Sequence, residues 1–104
     1  MIKKFKEMKG VIAIATTPFN NENTIDFESV DSLSEYYLES KVSGVTILGV
    51  MGEAHKLNIE EQKSLIKRYV NNLINSVPVI VGVSNAGLDN LELLSKFSMD
   101  SGAS

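Results

Sequence analysis

Apolar residues along this chain fall into two alternating patterns: short runs dense in valine and isoleucine, and longer stretches where they return every three or four positions. The runs at residues 10–15, 44–48 and 77–83 read as strands. None has a polar face, which predicts strands covered on both sides in a parallel sheet. Between the first two, Phe27, Val30, Leu33, Tyr37 and Leu38 line one stripe of a helix that Asp26 can cap, with Gly44 placed as its stop. Asn58 followed by Glu61 marks a second helix start, an asparagine variant of the capping box, and Leu65, Ile66, Tyr69, Val70 and Leu73 supply its buried stripe. A third helix is predicted over residues 88–100, with Leu91 and Leu94 facing inward and Gly102 as its stop.

The order β-α-β-α-β-α, with roughly 33 to 35 residues from one strand start to the next, predicts an α/β fold of repeated right-handed crossovers. It suits an open doubly wound sheet or a (β/α)8 TIM barrel. A complete barrel needs about 250 residues, so on the barrel reading these 104 residues hold the first three of eight units, an incomplete barrel. Residues 1–9 read as a leader. No Pro-rich hinge, low-complexity linker or charge run divides the rest, so residues 1–104 are expected to belong to one domain.

Composition narrows the function classes. Apolar content of 43% with 22% charged residues is that of an ordinary globular domain. The formal charge of −3 comes from interspersed acids and bases, and the basic concentration at Lys3, Lys4, Lys6 and Lys9 is confined to the leader, so nucleic acid is not an expected partner. The leader lacks the apolar core and cleavage site of a signal peptide, and no run is long enough to span a bilayer, so no membrane partner is expected either. The absence of cysteine excludes disulfides, thiolate metal sites and thiol nucleophiles, and points to the cytoplasm.

In a parallel α/β architecture ligands bind at the carboxyl ends of the strands, where residues 16–23, 49–57 and 84–87 converge. Gly49 and Gly52 bracket Val50 and Met51, so a sharp turn there leaves the N–H groups of residues 50–52 uncommitted, a receptor for a carboxylate or phosphate. The same glycines also suit a tight turn that serves packing alone. Glu53 is placed to orient the turn by accepting from backbone N–H groups. Work as a general base would need a raised pKa and a reachable proton. His55, the only histidine, has no second histidine, cysteine or spaced acidic cluster beside it, so neither metal nor cofactor is expected. Thr16 and Thr17 end the first strand with hydroxyls that can face a ligand or bond locally to backbone, before Pro18 stops the ladder. Ser84 and Asn85, with Gly87, read equally well as turn chemistry, and Tyr36, Tyr37 and Tyr69 as core or rim residues.

Three motifs carry a resemblance: Ala15-Thr16-Thr17-Pro18-Phe19 followed by Ile25-Asp26; Gly49-Val50-Met51-Gly52-Glu53 followed by Leu57 and Glu60-Glu61; and Pro78-Val79-Ile80-Val81-Gly82-Val83 leading to Asn85. Through them residues 10–104 resemble the N-terminal part of the dihydrodipicolinate synthase and N-acetylneuraminate lyase family of Schiff-base class I aldolases. The closing Ser101-Gly102-Ala103-Ser104 resembles the Gly-Ala-Asp that precedes that family's fourth barrel strand. The resemblance implies a TIM-barrel lyase, usually a homotetramer, that binds pyruvate or another 2-keto acid as an imine on a lysine, its carboxylate held at Val50 and Met51. In the family pattern that lysine and its partner tyrosine lie beyond residue 104. No lysine here falls inside a predicted strand, where a desolvated amine can be made, so this chain alone is expected to be inactive. The family typically carries a Ser or Thr pair where Val50 and Met51 stand, one hydroxyl binding the carboxylate and one relaying protons. Neither side chain here can do so. Backbone donors can still hold a carboxylate, which shifts the implied activity toward an aldolase or dehydratase of 2-keto-3-deoxy sugar acids. The competing expectation is a catalytically inactive α/β module that captures a small anion at residues 49–52.

Overall fold

A computed structural model describes residues 9–85 and 87–104. Strand β1 (Ile12–Ile14), helix α1 (Phe27–Glu39), strand β2 (Gly44–Ile47), a 3-10 turn (Ala54–Lys56), helix α2 (Ile59–Leu73), strand β3 (Val79–Val81) and helix α3 (Leu88–Ser101) follow one another. The leader lysines Lys3, Lys4 and Lys6 lie outside the described residues.

The strands are parallel and ordered β1-β2-β3, with Ala13 opposite Val45 and Val45 opposite Val79. Three strands joined in sequence order by right-handed crossovers put every helix on the same face of the sheet. Accordingly α2 packs between α1 and α3. Side chains alternate along each strand, so the in-register row Ala13, Val45, Val79 faces the helices, and Val45 and Val79 are fully buried. The row Ile14, Thr46, Ile80 points the other way, and Ile14 is 53% exposed. Among the described residues the sheet is therefore covered on one face, not on both as the apolar runs predicted.

Local chemistry explains most of the boundaries. Asp26 caps α1, its Oδ1 accepting from the Ser29 N–H at 3.2 Å. The Asn58–Glu61 capping box is complete, with the Glu61 N–H donating to Asn58 Oδ1 at 2.8 Å and the Asn58 N–H donating to Glu61 Oε1 at 3.0 Å. The expected stripe of α2 is buried, and each fully buried Leu or Ile contributes about 1.5–3 kcal/mol. Gly102 ends α3 at φ 114°, a left-handed stop.

Three expectations are corrected. Helix α1 is capped at Ser40 and followed by left-handed Lys41 (φ 56°), whose N–H donates to the Leu38 carbonyl at 3.1 Å, so Gly44 is the first residue of β2 and not a helix stop. Leu91 is 38% exposed and does not face inward; the first turn of α3 stands clear of the core, with Leu88 exposed as well, and the inward line begins at Leu94. The strands are shorter than their apolar runs. Gly10 at φ 105° precedes the first ladder, left-handed Leu48 ends the second, and Pro78, lacking an N–H, joins the third only by accepting from the Val45 N–H at 3.1 Å. Beyond α3 the Ser104 N–H donates to the Val79 carbonyl at 2.8 Å, which lays the chain along the outer edge of β3.

Helices α1 and α2 are clasped by a fork of charge. Arg68 donates from Nε and Nη2 to the two carboxylate oxygens of Asp31, at 2.7 and 2.6 Å, and Asn72 Nδ2 donates to the same carboxylate at 2.9 Å. The Arg68 hydrogen bonds, then that from Asn72, pull the Asp31 pKa down to about 2. The folded value lies below the unfolded one, so the stabilisation is present above about pH 4 and is lost as pH falls through about 2. Acid titration of unfolding should show this loss in the native chain and a flatter profile in Asp31→Asn. For the core, Leu94→Ala should lower the unfolding free energy by about 2–5 kcal/mol, and Leu91→Ala by no more than about 0.5 kcal/mol, as read by urea denaturation.

Candidate functional site

At the carboxyl end of β2 the chain reverses between two left-handed residues, Leu48 (φ 57°) and Glu53 (φ 55°). Neither glycine of the turn has a positive φ. Gly52 is needed for close approach, since a Cβ there would lie 3.1 Å from the Leu48 nitrogen and 3.3 Å from the Ala15 carbonyl oxygen. A Cβ at Gly49 would meet only the Ile14 side chain, at 4.0 Å.

A left-handed residue other than glycine costs roughly 1–2 kcal/mol, so the turn has to be held from outside itself. The Glu53 N–H donates to the Val50 carbonyl at 3.0 Å, and Thr17 Oγ1 donates to the Gly52 carbonyl at 2.6 Å. On the other flank the Gly82 N–H donates to the Ile47 carbonyl at 2.9 Å. A Cβ at Gly82 would sit 2.4 Å from the Leu48 carbonyl oxygen, so only glycine lets the end of β3 close on the turn. Sequence reasoning passed over Gly82 as a site residue; the available signal was a glycine interrupting an apolar strand run.

The N–H groups of Val50, Met51 and Gly52 donate to no acceptor among the described residues. Gly52 is buried, whereas Val50 is 87% and Met51 62% exposed. The arrangement offers backbone donors at a strand end beside two apolar side chains, which suits a small anion.

The neighbouring side chains mostly serve the backbone. Thr17 is buried with its hydroxyl proton committed to Gly52, while Thr16 is exposed and its carbonyl accepts from the Tyr69 phenol at 3.0 Å. Burial pushes the Tyr69 pKa upward, so this phenol stays neutral. The Glu53 carboxylate accepts from Lys56 Nζ at 2.6 Å, not from backbone N–H groups, and that hydrogen bond holds its pKa below the usual carboxylate range. It is the backbone of Glu53 that shapes the turn. His55 is exposed on the 3-10 turn, and no group of three His, Cys, Asp or Glu residues gathers as a metal cage among the described residues. Asn85 Nδ2 donates to the Val83 carbonyl at 3.2 Å, a local turn contact. A concavity of about 760 Å³ lies on the helix side between Phe27, Ser64, Arg68, Asn71 and Asp100, apart from the residues of the turn. No helix among the described residues is long and apolar enough to cross a membrane.

Comparison with known proteins bears on the family and the fold. The model of the dihydrodipicolinate synthetase family matches residues 7–104. The 4-hydroxy-tetrahydrodipicolinate synthase of Kosmotoga olearia is 35% identical over 86 residues, 82% of this chain and 29% of that protein. Dihydrodipicolinate synthase from Rhodopseudomonas palustris superposes with a TM-score of 0.91 at 41% identity, covering 99% of this chain and 34% of the other. A prophage protein of the dihydrodipicolinic acid synthase family from E. coli K12, solved in complex with pyruvate, superposes at 0.86 with 26% identity, covering 90% and 32%. The chain spans about a third of the length of these relatives, and its three parallel strands and three helices resemble the start of their TIM barrel.

The two turn-flanking glycines should behave differently. Gly82→Ala should lower stability by about 1–3 kcal/mol through the clash with Leu48. Gly49→Ala, whose Cβ would make only an ordinary contact with Ile14, should stay within about 0.5 kcal/mol of the native chain in the same urea titration.

Proposed function

Because the chain belongs to the dihydrodipicolinate synthetase family, a family of lyases, we propose that it is the N-terminal wall of an aldolase or lyase whose substrate is pyruvate or a related 2-keto acid. One observation carries the reading: among the described residues the N–H groups of Val50, Met51 and Gly52 are left without acceptors at the carboxyl end of a parallel strand, where a substrate carboxylate can take them. Gly49 and Gly52 belong to that binding turn, Thr17 bears on the carboxylate through it, and Glu53 stands behind it. The pyruvate held by the E. coli relative supports a 2-keto acid as the ligand class.

The covalent step proposed for the whole protein is imine formation. A lysine amine attacks the keto carbon, water leaves, and the iminium withdraws electrons from the bond that breaks. That amine and the tyrosine that works with it come from outside these residues. Lys56, beside the turn, is 58% exposed and paired with Glu53, so it has no desolvated pocket in which to act, and this chain alone is proposed to be inactive. Val50 and Met51 can relay no proton, which favours an aldolase or dehydratase of 2-keto-3-deoxy sugar acids over the synthase reaction. The assembly proposed for the whole protein is a homotetramer in the cytoplasm that uses no cofactor or metal. The same acceptor-free donors favour a second reading, capture of a small anion without chemistry.

Borohydride trapping with pyruvate, followed by intact mass, separates the two. The expected result is a reduced pyruvyl adduct on the protein encoded by the whole reading frame and none on residues 1–104. Absence of an adduct from both would overturn the imine chemistry and leave anion capture.

A further inference from the structure

The peptide joining Gly52 to Glu53 is gripped at both ends. Its carbonyl accepts from Thr17 Oγ1 at 2.6 Å, and its N–H donates to the Val50 carbonyl at 3.0 Å. These bonds fix the plane of one peptide, and the residue beyond it, Glu53, sits at φ 55°. Released from Thr17, that peptide can turn over. The Gly52 carbonyl would then swing away from the buried hydroxyl toward the open side of the turn, where it would set an acceptor against an incoming anion.

Thr17 is itself aimed from two directions. The Ala15 N–H donates to the Thr46 carbonyl at 2.8 Å, and the Thr16 carbonyl, part of the peptide leading into Thr17, accepts from the Tyr69 phenol at 3.0 Å. The hydroxyl therefore arrives at Gly52 from a strand end held by both the sheet and the helix layer. Its one proton is spent on the Gly52 carbonyl, so it has none to offer a carboxylate.

We infer that Thr17 is a positioning residue of the anion turn: its hydroxyl locks the Gly52–Glu53 peptide with the carbonyl inward, so that the turn presents N–H groups alone to the ligand. The inference rests on the keto-acid reading only for the identity of that ligand. Valine at position 17 keeps the branched shape but leaves a buried carbonyl unpaired, serine keeps the hydroxyl and loses a methyl, and glycine at position 53 adopts the left-handed conformation without help.

The test uses the 15N-labelled chain and its variants Thr17→Val, Thr17→Ser and Thr17→Val with Glu53→Gly. Amide exchange at Glu53, taken relative to the core amide of Leu65, reports local opening of the turn separately from global stability. Pyruvate titration followed at the Val50 and Met51 amides reports binding. Thr17→Val should speed relative exchange at Glu53 and weaken pyruvate binding, each about tenfold, while Thr17→Ser stays within about threefold of the native chain in both. Adding Glu53→Gly to Thr17→Val should recover most of the lost affinity. Native behaviour of Thr17→Val, or equal damage from Thr17→Ser, would overturn the inference, since packing alone would spare the isosteric valine. If the native chain shows no pyruvate shifts at these amides, the keto-acid reading falls, and the Glu53 exchange ratio alone decides the role of Thr17.

Discussion

Tyr69, buried in the middle of α2, holds its phenol oxygen 3.0 Å from the carbonyl of Thr16, and that hydrogen bond joins the helix layer to the strand end where the site lies. Its neighbours on α2, Leu65, Ile66 and Leu73, are fully buried, so the phenol is delivered by a helix with no freedom to shift. One residue on, Thr17 passes the constraint to Gly52. The turn is thus shaped by a line of contacts running from the helix core through the end of β1, and very little by its own side chains. Burial pushes the phenol pKa upward, so the link stays uncharged at neutral pH.

The parts of the fold legible in the sequence are those set by local chemistry. Asp26, Asn58 and Gly102 mark helix ends because a side-chain acceptor or a left-handed glycine can be recognised without knowing what surrounds it. The stripe of α2 shows for a related reason, since helical periodicity survives whatever it packs against. Left-handed Leu48 and Glu53 were invisible because their turn is held by partners elsewhere, and left-handed Lys41, a local helix stop bonded to Leu38, because a lysine does not announce that conformation. Leu91 failed for lack of tertiary knowledge: its spacing fits the inward line, but the first turn of α3 is exposed.

The site was legible as a location and less so as a mechanism. Two glycines around two residues at a strand end pointed to N–H groups that have no acceptor among the described residues, yet the reason for the glycines differed, since Gly52 serves close approach and a Cβ at Gly49 would meet only the Ile14 side chain. The Glu53 carboxylate turned to Lys56, and the constraint on Leu48 came from Gly82 on the next strand. The second depends on which chain segments become neighbours, which spacing along one sequence does not encode, whereas the first is an i,i+3 pair.

Each strand in this structure pairs with the strand one unit before it, and each helix packs against the helix one unit before it. The strand–strand and helix–helix contacts close over a single β/α unit, so the entropy lost in forming each is that of a loop of one unit, repeated, and the wider Tyr69–Thr16 bond, across 53 residues, is made once two units are in place. A chain arranged in this way can be laid down in the order of its synthesis. Each unit emerging from the ribosome finds its partner edge already built, as Ser104 finds Val79, and what it must be protected from in the meantime is another chain finding that edge first.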